Sequence, residues 1–282
     1  MAERAVRILI TGASSGIGRA LALAYAREGA SLILLGRDEA RLEAAARDCL
    51  AAGAEAAETR LADVRDRETM ARIVQSADEK GPIDIVVANA GVSTGLSSGQ
   101  LLETPEAVRA MLKINVEGVF NTIEPAIQPM CARKSGRIAI VGSMAGVRAL
   151  PHSPAYCAAK ACVHMWADSL RAQIAAHGVH VALIVPGYVK TPMSARTIVK
   201  TPFSAKATAT ARAKSWQPGA ISDEEAAVII KKGLERRRDV IAFPRYMYWA
   251  MRLFSFLPAA LVDGVMRRFP ADVPETSERE IS

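Results

Sequence analysis

The fold is decided near the amino terminus, by the stretch Val6-Arg7-Ile8-Leu9-Ile10-Thr11-Gly12-Ala13-Ser14-Ser15-Gly16-Ile17-Gly18. Its first half is an apolar run that predicts a buried strand, and a helical pattern begins at Gly16. Between the two, glycines allow the backbone to turn tightly and to approach a ligand closely. The N-terminus of the helix adds free N–H groups and a partial positive charge. The stretch therefore predicts a strand–loop–helix unit that cradles a phosphate or pyrophosphate.

The rest of the chain repeats the alternation of strand and helix. Five further apolar runs predict strands, at residues 31–35, 83–88, 137–141, 179–185 and 240–243, and residues 55–61 predict a weaker one. Helical segments of about 10–15 residues separate most of them, a pattern typical of βαβ units and a parallel sheet covered on both faces. We predict one α/β domain over residues 1–243, an amphipathic helical extension over 244–269 and a disordered tail over 270–282.

Composition excludes several classes of function. Of 282 residues, 50% are hydrophobic and 23% are charged, which is typical of a globular chain. The net charge is +7, but no basic cluster is interleaved with aromatic residues, so we expect no nucleic-acid partner. The four cysteines lack the spacing of zinc ligands, and we expect no metal. No signal peptide or long apolar span is visible, which predicts a cytoplasmic protein.

Tyr156 and Lys160 carry the strongest chemical signal. Spaced four residues apart on a predicted helix, they share one face. A free tyrosine has a pKa of about 10, and a unit positive charge about 4 Å away could lower it by up to about three units. With Ser143 and Asn115 upstream, the pair predicts a general acid or base near neutral pH. Such a group, beside a dinucleotide site, suits hydride transfer between a ketone and a secondary alcohol.

The residues after the second strand bear on cofactor choice. There Gly36 stands where an acidic residue would bind the ribose hydroxyls of NAD, and Arg37 follows it. Arginine pairs well with phosphate, which favours NADP over NAD. Asp38 is the counter-argument, but it lies where a helix cap is expected.

Together these motifs resemble the short-chain dehydrogenase/reductase family. The resemblance covers roughly residues 5–195 and rests on Thr11-Gly12-x-x-x-Gly16-x-Gly18, Asn89-Ala90-Gly91, Asn115, Ser143, Tyr156-x-x-x-Lys160 and Pro186-Gly187 with Thr191. It implies a Rossmann-type doubly wound parallel sheet and a homo-oligomer, dimer or tetramer, formed through the fourth and fifth helices. It also implies a nicotinamide site lined by Gly12, Ser14, Ser15, Gly16, Ile17, Gly18, Arg37, Asp63, Val64, Asn89, Ala90, Gly91, Tyr156, Lys160, Pro186, Gly187, Val189 and Thr191.

The same resemblance implies catalytic roles. Tyr156 exchanges the proton, Ser143 binds the substrate oxygen, and Lys160 also holds the nicotinamide ribose. Asn115 marks a helix kink that holds a water of a proton relay. Asn89 steadies the central strand.

The cofactor side has implied contacts as well. Asp63 contacts the adenine amine and Val64 lies beside its ring. The segment from Pro186 to Thr191 fixes the carboxamide of the nicotinamide.

The histidines contribute less. His152 lies between Ser143 and Tyr156, where it either touches substrate or has no role. We interpret His164, His177 and His180 as structural or exposed.

The C-terminal segment 244–269 is basic, aromatic and amphipathic, and Pro258 divides it into two predicted helices. Three interpretations stay open: ordinary packing against the core or another subunit, contact with the inner membrane surface, or a lid over a lipid-like substrate. We favour an NADP-dependent reductase of a hydrophobic ketone. The alternatives are an idle nucleotide-binding regulatory or scaffold protein and a peripheral membrane reductase of lipid ketones.

Overall fold

A computed structural model describes residues 4–93, 95–96, 100–150, 152–196, 198–199, 219–266 and 271–272. Within these residues the main sheet has seven parallel strands in the order β3-β2-β1-β4-β5-β6-β7. The strands are β1 Arg7–Thr11, β2 Ser31–Gly36, β3 Ala56–Leu61, β4 Ile85–Ala88, β5 Gly136–Val141, β6 Val179–Pro186 and β7 Val240–Phe243. The predicted Rossmann-type sheet is confirmed, with strand boundaries shifted by at most two residues.

Helices cover both faces of this sheet. They are α1 Gly16–Ala26, α2 Glu39–Ala51, α3 Arg67–Glu79, α4 Pro105–Leu112, α5 Gly118–Ala132, α6 Pro154–Ile174, α7 Asp223–Glu235, α8 Arg245–Phe254 and α9 Ala259–Met266. Alternate residues of β1 point to opposite sides. Leu9 packs into one hydrophobic core, while Ile8 and Ile10 pack into the other. Both faces of the strand are therefore buried, as its unbroken apolar sequence requires.

The strand order reverses between β1 and β4, and this reversal places the site. In open α/β sheets, ligands bind in the crevice beyond the carboxyl ends of the strands at such a switch point. Here the loop after β1 meets the segment after β4. The Thr11 hydroxyl oxygen accepts hydrogen bonds from the N–H groups of Asn89 and Ala90, at 3.1 and 3.2 Å. The two loops are thus held side by side.

The C-terminal extension forms the two predicted helices, α8 and α9, with Pro258 between them. Ser255 donates a hydrogen bond to the carbonyl of Val147, and Arg148 pairs with Asp263 at 3.5 Å, so the extension is attached to the loop after β5. Ala271–Asp272 pairs antiparallel with Ile198–Val199, although we expected disorder there. The rest of the predicted tail lies outside the described residues, and the domain boundary at residue 243 stays a prediction.

Candidate active site

One cavity of about 770 Å³ runs along the carboxyl ends of the strands. All the predicted site residues line it except Gly18 and Asn115, which lie directly behind its wall. A volume of this size is ordinary for a cofactor or drug-sized ligand. The structure therefore brings the predicted site residues together in one place, while their individual roles remain predictions.

Tight glycine geometry forms the phosphate end of the cavity. Gly12 and Gly16 have φ values of 65° and 51°, in the left-handed region that favours glycine. A Cβ on Gly12 would lie 2.9 Å from the Cα of Ala90, and one on Gly16 would lie 3.0 Å from Cγ2 of Thr191. Both glycines line the cavity, so side chains there would displace its walls. Ser15 precedes α1 without a side-chain cap, which leaves the N–H groups of the first turn for a ligand.

Asn89 joins the glycine loop to β4. Its amide nitrogen donates to the carbonyls of Thr11, at 2.9 Å, and Gly12, at 3.2 Å. A Cβ on Gly18 would collide with the Gly12 carbonyl and with this amide. Gly18 is therefore needed for the close approach of helix α1 to the loop, even though it does not line the cavity.

Basic side chains surround the end of β2. Arg37 lies 3.8 Å from the carboxylate of Asp63, and Arg65 donates to the same carboxylate at 2.9 Å. Burial alone would raise the pKa of Asp63, but the hydrogen bonds and charge of Arg65, together with the charge of Arg37, hold it below its usual value. Asp38 caps α2 by accepting from the N–H of Arg41 at 3.0 Å, as expected of a cap. Arg41 also lines the cavity, beside Arg37.

Tyr156 and Lys160 lie on one face of α6, and the Lys160 ammonium is 5.8 Å from the centroid of the Tyr156 ring. Lys160 is buried and donates to the carbonyl of Val141 at 2.8 Å. Burial lowers the pKa of Lys160 to about 8.

The predicted acidity of the phenol is wrong for the protein alone. Burial raises the pKa of Tyr156, a hydrogen bond with Ser143 offsets this only in part, and Cys157 raises it further. The ammonium does not reverse the shift, because the same burial that desolvates the phenol also disfavours the charge on Lys160.

Asn115 lies in a π-helical turn, Lys113–Glu117, between α4 and α5, where the helix kink was predicted. Its buried amide accepts from the N–H of Val92 at 2.9 Å and donates to the carbonyl of Val92 at 2.8 Å. A π turn breaks the regular hydrogen-bond ladder of a helix and is often found at functional sites. The Asn115 side chain therefore uses both its acceptor and its donor in hydrogen bonds to the segment after β4.

Comparison with known proteins agrees with this geometry. A family model described as short chain dehydrogenase matches residues 6–201. The chain belongs to the short-chain dehydrogenase family. An uncharacterized oxidoreductase from Myxococcus xanthus is 34% identical over 269 residues, covering 95% of this chain and 99% of its own length.

Two solved structures are also similar. A short-chain dehydrogenase from Sphingobium yanoikuyae in complex with NADPH superposes with a TM-score of 0.73 at 25% identity, covering 97% and 99% of the two chains. A short-chain dehydrogenase/reductase from Burkholderia phymatum in complex with NAD gives 0.75 at 22% identity, covering 98% and 99%. At that identity the second likeness supports the fold alone. The prediction that this chain is an oxidoreductase of the short-chain dehydrogenase family is confirmed.

Sequence reasoning missed several residues of this short-chain dehydrogenase. Arg41 lines the phosphate end, and its position four residues after Arg37 on a helix that begins at the cavity could have revealed it. Met247 and Met251 of α8 line the opposite end, and no local motif marks them. His164 was interpreted as structural or exposed; it is partly buried and accepts a hydrogen bond from the loop that carries Ser143, a contact that the sequence analysis did not name. Its spacing, four residues after Lys160, was the available signal.

Proposed function

We propose that this short-chain dehydrogenase uses NADP(H) to interconvert a hydrophobic ketone and its secondary alcohol, with Tyr156 as the general acid or base. The observation that carries the proposal is that Tyr156, Lys160 and Ser143 line the same cavity as the glycine loop. The residues at the phosphate end fit a dinucleotide, because two positive-φ glycines and an uncapped helix N-terminus face the cavity.

When bound, the nicotinamide supplies the hydride in reduction and accepts it in oxidation. In reduction, Tyr156 would donate its phenolic proton to the carbonyl oxygen of the substrate. Ser143 donates a hydrogen bond to that oxygen and so stabilises the charge that develops there. Lys160, on the next turn of α6, would contribute the positive charge near the phenol and would bind the ribose of the cofactor.

NADP is favoured by the residues at the end of β2. Arg37 and Arg41 both line the cavity there, and Gly36 places no carboxylate at the last position of β2, although Asp38 and Asp63 lie nearby. The substrate end favours an apolar ligand. It is lined by Leu150, Met193, Met247 and Met251, next to the half-buried His152. A substrate with a long apolar chain fits these walls.

The test is NADPH and NADH oxidation over a panel of ketones of increasing chain length, with Tyr156→Phe beside the wild type. We expect Tyr156→Phe to lose at least about 10³-fold in kcat, while its affinity for NADPH changes less than twofold. Tyr188→Phe is the matched control, because Tyr188 is another partly buried tyrosine that lines the cavity but has no lysine at a spacing of four residues. Full activity of Tyr156→Phe would refute the assignment of the acid. NADPH binding without turnover of any ketone would favour the idle nucleotide-binding module.

A second proposal concerns the outer face of α8 and α9, which we propose rests on an anionic membrane surface. Trp249 and Phe256 there are 62% and 81% exposed, and Tyr246, Leu253 and Leu261 are exposed beside them. Arg245 and Arg252 are exposed too, and no acidic residue occurs between residues 244 and 262. An apolar face flanked by cations is typical of helices that lie in the membrane interface. Among the described residues, no helix is long and apolar enough to cross a bilayer.

Vesicle flotation tests this second proposal. Full-length protein should float with phosphatidylglycerol vesicles and less with phosphatidylcholine vesicles, and Trp249→Ser with Phe256→Ser should abolish flotation. Leu50→Ser with Leu61→Ser is the control, because both leucines are exposed on the opposite part of the fold. Sedimentation velocity of the same proteins measures their oligomeric state, which we expect to be a dimer or a tetramer. If the Trp249/Phe256 variant changes the oligomeric state and not flotation, the face is a subunit interface instead.

A further inference from the structure

Helix α6 presents three polar side chains at spacings of four residues: Tyr156, Lys160 and His164. Positions i, i+4 and i+8 share a helix face. The first two belong to the proposed chemistry. The third has no part in it, yet it is partly buried on the same side of the helix.

His164 contacts the backbone of Ser143. Its Nε2 accepts a hydrogen bond from the Ser143 N–H at 3.2 Å. One turn earlier, Nζ of Lys160 donates to the carbonyl of Val141 at 2.8 Å. Helix α6 is therefore attached to the end of β5 at two points, by one donor and one acceptor, on the two sides of Gly142.

The loop is shaped around the imidazole. A Cβ on Gly142 would collide with Nε2 of His164, and one on Gly146 would lie 2.9 Å from its Cε1. These glycines flank Ser143 and the turn that follows it, Met144–Gly146. Their missing side chains leave the space that the ring occupies, so ring and loop are complementary in shape.

The hydrogen bond requires a neutral ring whose Nε2 carries a lone pair, since a protonated imidazole has only donors. Burial and the nearby charge of Lys160 lower the pKa of His164 to about 4, despite the opposing influence of Asp168. The ring is therefore neutral at physiological pH, with its proton on Nδ1.

We propose that His164 is a positioning residue that holds Ser143 in place for hydrogen bonding to the substrate oxygen. Ser143 is then held from two directions: His164 accepts its N–H, and its hydroxyl oxygen accepts from the N–H of Ala145 at 3.1 Å. The hydroxyl proton is left for the substrate or for Tyr156. This inference rests on the proposed function only in that it explains how Ser143 is presented.

Two substitutions test the acceptor. His164→Leu fills part of the volume without an acceptor and leaves the Ser143 N–H unpaired, whereas the amide oxygen of His164→Gln reaches the position of Nε2. We expect kcat for ketone reduction to fall about tenfold in His164→Leu and to recover to within about threefold in His164→Gln. The dissociation constant for NADPH should stay within twofold in both. His177→Leu, at an exposed histidine after α6, is the matched control.

Hydrogen exchange of the Ser143 amide provides a readout that does not depend on turnover. Exchange should be faster in His164→Leu and near the wild-type rate in His164→Gln. Equal losses of thermal stability in both variants, with kcat and Ser143 exchange unchanged, would overturn the proposal. If the wild type reduces no ketone, the proposed function fails, and the exchange experiment still decides whether His164 holds Ser143.

Discussion

The two ends of the cavity are built in different ways. At the phosphate end the backbone does most of the work: Gly12 and Gly16 adopt left-handed conformations, and the loop approaches Ala90 closely. At the substrate end the walls are side chains from segments far apart in sequence, such as Leu150, Met193 and Met251. The first end is encoded locally, within one short motif, while the second exists only once distant segments pack together. Substitutions at the phosphate end should therefore have the largest effects, and substitutions at the substrate end should have smaller effects that depend on the size of the side chain and of the substrate.

The largest effect is expected for Gly12→Ala. A left-handed conformation costs a non-glycine residue roughly 1–2 kcal/mol, and the added Cβ would also press against the Cα of Ala90. We expect dinucleotide affinity to fall by at least about 100-fold, measured by titration calorimetry with NADPH. Gly29→Ala is the matched control, because Gly29 has a φ of 75° but an added Cβ would meet nothing within 4 Å. Equal loss of affinity in both variants would mean that backbone strain alone, and not crowding of the cradle, is responsible.

A second test concerns pH. It addresses the middle of the cavity, where Tyr156 lies between the phosphate end and the substrate end. Reduction needs the protonated phenol of Tyr156 and oxidation needs the phenolate. Because burial raises the pKa of Tyr156, the proton is bound throughout the neutral range. We therefore expect, from pH 6 to 7.5, a flat kcat/KM for reduction and a rise of about tenfold per pH unit in kcat/KM for oxidation. Above that range Lys160, with a pKa of about 8, begins to lose the positive charge that it contributes. Initial rates in both directions measure this. A plateau of the oxidation rate below pH 7.5 would instead show that the phenol is acidified in the holoenzyme.

The third test addresses the corner where the phosphate end discriminates between cofactors. The double substitution Arg37→Ala with Arg41→Ala should lower the affinity for NADPH about tenfold or more and leave the affinity for NADH nearly unchanged, since only NADPH carries a 2′-phosphate. Fluorescence titration with both cofactors gives the ratio. Arg47→Ala is the control, because Arg47 lies on the same helix as Arg41 but outside the cavity. An equal loss of affinity for NADPH and NADH would mean that the two arginines contact a part of the dinucleotide that both cofactors share.

Features of the structure that depend on local sequence patterns could be predicted from the sequence. Apolar runs between helical segments predicted six of the seven strands, because a parallel sheet buried on both faces needs continuous apolar strands. The partly exposed edge strand β3 contains Glu58 and Arg60 and gave a weaker signal. The Asp38 cap was equally local. The pKa of Tyr156 was not predictable from its spacing to Lys160, because burial depends on what packs around α6. Met251 was missed for a similar reason, since only tertiary packing brings α8 to the cavity. The contact between His164 and Ser143 was missed because the partner is a backbone N–H; the spacing from Lys160 indicates only that the two side chains share a helix face.

The smallest effect is expected at the substrate end, for Met251→Ala. Met251 contributes one apolar wall among several, so its loss removes part of the contact with an alkyl chain and leaves the rest. At about 0.8 kcal/mol per buried methylene, we expect KM for long-chain ketones to rise about three- to fivefold, with kcat and NADPH affinity unchanged. The rise should shrink toward onefold as the ketone is shortened, which steady-state kinetics over a chain-length series will show. Met165→Ala is the control, since Met165 is 73% exposed on α6 and does not line the cavity. A rise in KM that is equal for short and long ketones would place the alkyl chain elsewhere in the cavity.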